Sequence, residues 1–152
     1  MAKVHHYTEC GLSNVYIEGI CVERDDEGDE IITIPAINEL HRVIALGIVR
    51  HEKGMSGEEL RFLRSEMGLT QAELATLLHR DRQSIGRWER GEIPIDGVSE
   101  ALIRRLAIEK LALSVDDGID ELSKRSVPTL EEQPIKIQKV HNDHQPYELL
   151  AA

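Results

Sequence analysis

Ser56 followed three residues later by Glu59, and Thr70 followed by Glu73, place two helix-starting boxes in one short stretch of chain. In such a box the hydroxyl takes a free backbone N–H of the first turn, and the glutamate reaches back to the N–H of the capping residue. Each helix so opened is closed early. Gly68 stops the first, and Asp81 caps a third helix just beyond the second, which then ends at Gly91. Chain punctuated this closely cannot form one long helix or a continuous sheet. It must form short helices joined by tight turns.

The apolar positions assign each helix a side. In "LTQAELATLLHRDRQSIGRWERGE" the second helix is expected to be held by Leu74, Leu77 and Leu78, with Ala72 and Ala75 small enough for close helix approach. In the third, Ile85 and Trp88 lie three apart and anchor the helix from behind. Arg82, Gln83, Ser84, Gly86 and Arg87 are then left facing out. Two short helices with a tight connection, the second carrying exposed donors at its start, make a helix-turn-helix. The side chains suit duplex DNA: arginine reads guanine in bidentate fashion, glutamine reads adenine, and serine pairs with either. A helix N-terminus also favours phosphate.

The run "LRSEMGLTQAELATLLHRDRQSIGRWERGE" resembles the helix-turn-helix of the Cro/C1/Xre repressor family, over roughly 56–113. The likeness rests on "GLTQAELA", the Ile85 and Trp88 anchors and the closing "WERGE". It implies that Arg82, Gln83 and Arg87, with Ser84 beside them, reach base edges. Gln71 would contact phosphate and brace the recognition helix, and Arg80 and Arg90 would sit near backbone phosphate. Arg64 would pair with Glu89 as a scaffold. Asp81 stands where serine or threonine is more usual. It caps well, but puts a negative charge near DNA, to accept from cytosine or to sit aside. The flanking "YTECGLSNVYIEGI", "INELHRVIALGIV" and "SGEELRFLR" are more faintly similar to MqsA/HigA-like antitoxins, in which a β-rich N-terminal part can clasp a toxin and paired Cys-x-x-Cys motifs hold zinc. Here only Cys10 and Cys21 exist, so a zinc site would need His5 and His6 as well.

Charge is distributed unevenly. The net charge is −10, divided as −5 over 1–55, −1 over 56–112 and −4 over 113–152, while His79 to Arg90 is locally +2. A basic face on an acidic body can bind phosphate, and the remainder repels DNA docked any other way. The acidic ends could instead mask a basic toxin. Aromatics at 3% argue against a sugar cleft or a stacking platform for single strands. No apolar run reaches the ~20 residues of a membrane helix, and "MAKVHHYTEC" has no apolar signal core, so cytoplasm and reduced thiols are expected. No phosphate loop or nucleophile elbow appears, and neither catalysis nor a cofactor is expected. The pair His141 and His144 lies in turn-like sequence, and "DDEGDE" lacks the order of a calcium loop.

The flanks define the fold class, α+β: a five-helix Xre-type bundle with a small N-terminal β-hairpin region joined by C-terminal strands. Three parts are expected, at 1–55, 56–113 and 114–152. In the first, Asn14 to Glu23 alternates as a strand with a slip at Gly19, Ile31 to Pro35 closes a hairpin, and a helix runs from about Ala36 to Arg50. In the others, a helix spans Val98 to Leu113, a short one lies near Asp117 to Lys124, and strands lie at Pro134 to Val140 and in "YELL". The expected function is a repressor binding a palindromic double-stranded operator as a homodimer. It would be an autoregulating antitoxin, or alternatively a stand-alone repressor or a metal- or redox-responsive regulator.

Overall fold

The structure, a computed structural model, describes residues 4–126, 133–142 and 144–150. Pro128 and its polar run lie outside them. The elements in chain order are β1 (Val4–His6), β2 (Val15–Glu18), β3 (Val22–Arg24), β4 (Glu30–Ile32), α1 (Ile37–Arg50), α2 (Gly57–Glu66), α3 (Gln71–Leu78), α4 (Arg82–Glu89), α5 (Gly97–Lys110), α6 (Ile119–Arg125), β5 (Ile135–Lys139) and β6 (Tyr147–Leu149). This is the expected α+β architecture, with no helix among the described residues long and apolar enough to cross a membrane.

The sheets are joined differently from the expectation. The run from Asn14 to Glu23 is not one strand. Gly19 adopts a left-handed φ of 82°, and the chain leaves one sheet there and enters another. β2 belongs to a four-stranded sheet of order β1-β2-β5-β6, in which β2 runs parallel to β5 and the other pairs are antiparallel. β3 and β4 form their own hairpin. Its turn is made by Asp25, whose carboxylate accepts from the N–H groups of Glu27 and Asp29, so the acidic run is an Asx turn. The C-terminal strands thus do join the N-terminal part, but through β2. β1, too short to alternate visibly, supplies the other edge.

Val15, Ile17, Ile135 and Ile137 turn the same side of this sheet inward and are fully buried. α1 lies across that side, covering it with Leu40, Ile44 and Ile48. The helix comes so close that a Cβ on Gly47 would sit 2.9 Å from Ile135 and 3.2 Å from Leu149. Ile37, in the first turn of α1, is exposed.

Three sets of polar contacts fuse this layer to the helical bundle. Tyr7 O–H donates to His41 Nε2 (2.9 Å), and His41 Nδ1 donates to Glu66 (2.9 Å), since a carboxylate can only accept. Burial pushes the Tyr7 hydroxyl up to about 12, which keeps it a donor. Arg42 and Arg50 of α1 donate to the carbonyls of Ala112 and Ser114, just past α5. In return Arg104 of α5, fully buried, donates to the carbonyls of Ile48, Val49, His51 and Lys53 at the end of α1. The first two are carbonyls of the last turn, which a helix end leaves without partners, and the other two lie just beyond it.

Around Arg104 lies a buried charged cluster. Lys53 pairs with Glu59 at 2.6 Å, and Glu100 lies 3.4 Å from Arg104 Nε while accepting from Met55 N–H. Two cations balance two anions only while His51 is neutral. Burial holds the His51 imidazole below its ordinary value; Glu59 opposes this, and Lys53 and Arg104 reinforce it. A histidine with a depressed folded pKa binds fewer protons folded than unfolded. Its contribution is therefore intact above the unfolded value of about 6.5 and is lost as pH falls below it toward the folded value. Urea unfolding between pH 7.5 and 5.5 is expected to show stability declining with acid, and His51→Gln to flatten that decline. An equally steep decline in the variant would place the titration elsewhere.

Candidate nucleic-acid interface

The capping boxes fold as the sequence requires. Ser56 Oγ accepts from Glu59 N–H while Glu59 accepts from Ser56 N–H, and Thr70 and Glu73 repeat the arrangement. α3 ends at His79, which adopts a left-handed φ of 56° and turns the chain sharply into α4. Asp81 caps α4 by accepting from Ser84 N–H at 2.7 Å. That hydrogen bond holds the Asp81 carboxyl below its ordinary range, so a fixed negative charge stands at the tip of the helix.

Ile85 and Trp88 are buried, as their spacing demands. Behind them, Gly57 at the start of α2 abuts the end of α4; a Cβ there would lie 2.3 Å from the Trp88 carbonyl oxygen and 2.7 Å from that of Glu89. Arg64 closes the same junction with a bidentate pair to Glu89, at 2.6 and 3.0 Å, and a bond to the Leu69 carbonyl. The Glu89 hydrogen bond raises the Arg64 pKa further, so the guanidinium stays charged. Gln71 Nε2 donates to Glu89 at 3.2 Å and so braces the helix.

With its back fixed, α4 presents Arg82, Gln83 and Arg87 to solvent. Arg82 and Arg87 form no hydrogen bond or ion pair within the described residues. Together with Gln71, Asp81, Gly86 and Arg90 these side chains line one open concave surface. Three guanidinium groups and two side-chain amides converge there, against the single carboxylate of Asp81.

Several expected positions differ. Gly86 is buried, because the Arg90 guanidinium folds back over it, 3.0 Å from where a Cβ would be. Ser84 is half-buried, its N–H taken by the cap. Leu77 is 49% exposed and does not hold α3; Leu74 and Ala75 do, while Ala72 is exposed. Arg80 stacks over Trp88, 5.3 Å from the ring centre, and pairs with Asp96. Arg90 pairs with Glu92 at 3.1 Å. Both must give up a carboxylate, or share it, to meet phosphate. Asp96 is a functional cap that the sequence analysis does not single out. It caps α5 by accepting from Ser99 N–H, starting that helix at Gly97. The Asp-x-x-Ser spacing was the available signal.

Cys10 is half-buried and Cys21 exposed, both as thiols. His5 and His6 are strand neighbours and point to opposite sides, His5 toward Glu9 and His6 onto the Tyr16 ring. Among the described residues no three His, Cys, Asp or Glu side chains gather as a metal site.

Residues 57–110 match the family model of a helix-turn-helix domain, which agrees with the Cro/Xre-type regulator that the sequence resembles. Those residues therefore form a helix-turn-helix domain. No curated protein and no solved structure matches the chain significantly.

Proposed function

We propose that the chain is a sequence-specific regulator of transcription that binds an operator in double-stranded DNA. The observation that carries this reading is the pairing of a buried back, Ile85 and Trp88, with exposed Arg82, Gln83 and Arg87 on the same two turns of α4. Such a helix fits the major groove. A single module buries little surface, so a homodimer on a palindrome with half-sites ~10 base pairs apart is the form that gives useful affinity. Occupying a promoter in this way makes it a repressor.

Selection of bound duplexes from random DNA tests this. An enriched inverted repeat supports the reading, and no enrichment overturns it. On the enriched duplex, Arg82→Ala and Arg87→Ala are each expected to weaken binding by ~1–3 kcal/mol and to relax specificity at one position per half-site. Both side chains are exposed, so unfolding midpoints should not move. Fluorescence anisotropy at fixed salt measures the first effect and thermal melting the second.

A second reading adds a protein partner. The β3–β4 hairpin presents an acidic turn with Ile31 exposed beside it, a combination suited to masking a basic toxin while the helix-turn-helix represses the chain's own promoter. Co-expression of this chain with the product of an adjacent gene that is toxic alone should restore growth; failure to do so removes the antitoxin role and leaves DNA binding intact.

A further inference from the structure

Gly86 is out of place in α4. A glycine inside a helix costs stability relative to alanine, and the backbone here does not ask for one, since Gly86 lies mid-helix without a left-handed φ. What it provides is room. The nearest atoms that a Cβ would meet all belong to the Arg90 guanidinium, with Nη1 at 3.0 Å, Cζ at 3.8 Å and Nη2 at 3.9 Å. The guanidinium therefore rests on bare helix one turn before its own residue. Gln83, Gly86, Arg87 and Arg90 follow one another at helical spacing along one face, and all four line the concave surface described above.

Arg90 is also gripped along one edge. Its Nε donates to Glu92 at 3.2 Å and its Nη2 to the other carboxylate oxygen at 3.1 Å. Those two contacts occupy the side edge of the guanidinium. The end edge, made by Nη1 and the second hydrogen of Nη2, forms no hydrogen bond among the described residues. An exposed pair of this kind adds little stability. Its consequence is direction: Glu92 fixes the plane of the guanidinium and leaves free the fork that matches O6 and N7 of guanine.

From this we infer that Arg90 reads a guanine in each half-site, with Glu92 and Gly86 as its positioning residues. The family resemblance puts Arg90 near phosphate, but a phosphate contact needs neither a bare patch of helix nor a buttressed fork. This assignment rests on the proposed operator binding and adds Arg90 to the base-reading residues.

Selection from random duplexes, run in parallel on the unmodified full chain, Arg90→Ala, Gly86→Ala and the double variant, tests it. The unmodified chain should enrich an inverted repeat. Arg90→Ala should enrich the same repeat with the guanine preference lost at one base pair per half, a different pair from the one that Arg87→Ala loses. It should bind the original repeat roughly 5- to 150-fold more weakly. Gly86→Ala should lose preference at that same pair while its unfolding midpoint rises by up to about 4 °C, because alanine suits the helix and the guanidinium can swing away. Combining the two changes should alter preference no further; a further loss would lay the effect on the added methyl and overturn the role of Gly86. Unchanged preference in Arg90→Ala would overturn the assignment while operator binding stands. So would an affinity loss equal on the repeat and on unrelated duplex, with the salt slope reduced by about one, which marks a phosphate contact. No enrichment by the unmodified chain would overturn the operator reading, and this assignment with it.

Discussion

Replacing Arg104 with methionine is expected to destabilise the folded chain by ~3–5 kcal/mol, the range for breaking a buried charge cluster from one side. The loss has two sources. Four carbonyls at the end of α1 and the segment after it lose their donor, and a buried acceptor without a partner costs ~1–3 kcal/mol. Glu100, 3% exposed, also loses its countercharge. Burial lowers the Arg104 pKa, with Glu100 and Glu59 opposing, so the cluster is already poised between desolvation and attraction. Arg104→Lys should recover little, because an ammonium cannot reach separate carbonyls with a planar fork. Arg104→Met combined with Glu100→Met should be less damaging than the single change, since it removes both charges. Urea unfolding gives all three values. A loss below ~1 kcal/mol for Arg104→Met would mean that the cluster does not hold α1 to α5.

Gly57→Ala carries the next largest effect. Alanine favours a helix over glycine by up to ~1 kcal/mol, so on propensity alone the change should stabilise α2. The clash decides otherwise. The added Cβ would lie 2.3 Å from one backbone oxygen and 2.7 Å from another, and neither belongs to a flexible side chain that could swing away. α4 must shift relative to α2, at about 2–3 kcal/mol. The shift also strains the Arg64–Glu89 pair at the same junction. Both the unfolding midpoint and the affinity for operator should therefore fall, unlike Arg82→Ala, which should lower affinity alone. A more stable Gly57→Ala protein would show that the two helices are not packed as described.

The recognition unit was legible because its signals are local. Capping boxes, the Asp81 cap and the three-residue spacing of Ile85 and Trp88 are settled within a turn or two of helix, and each appears where the sequence places it. The Arg64–Glu89 pair, 25 residues apart, came only with the family resemblance. What the sequence hid is tertiary. Arg104 reads as a surface charge, although it falls three residues after Ala101 and four before Ile108, on the buried side of α5; that phase was its one signal. Leu77 misled for the converse reason, as helical phase cannot say where the buried stripe ends. The break at Gly19 was visible as a slip in alternation, but nothing local says that the strand beyond it pairs in a second sheet. β1 offers three residues and no pattern.

If the outward side of α4 reads base edges, selection from random duplexes run in parallel on the unmodified chain and on Arg87→Ala will separate the two proteins. The expected result is an inverted repeat for the first, and for the second the same repeat with preference lost at one base pair in each half. The same complete preference in both proteins would contradict it, since a helix that loses a reading arginine cannot still distinguish the base that arginine met.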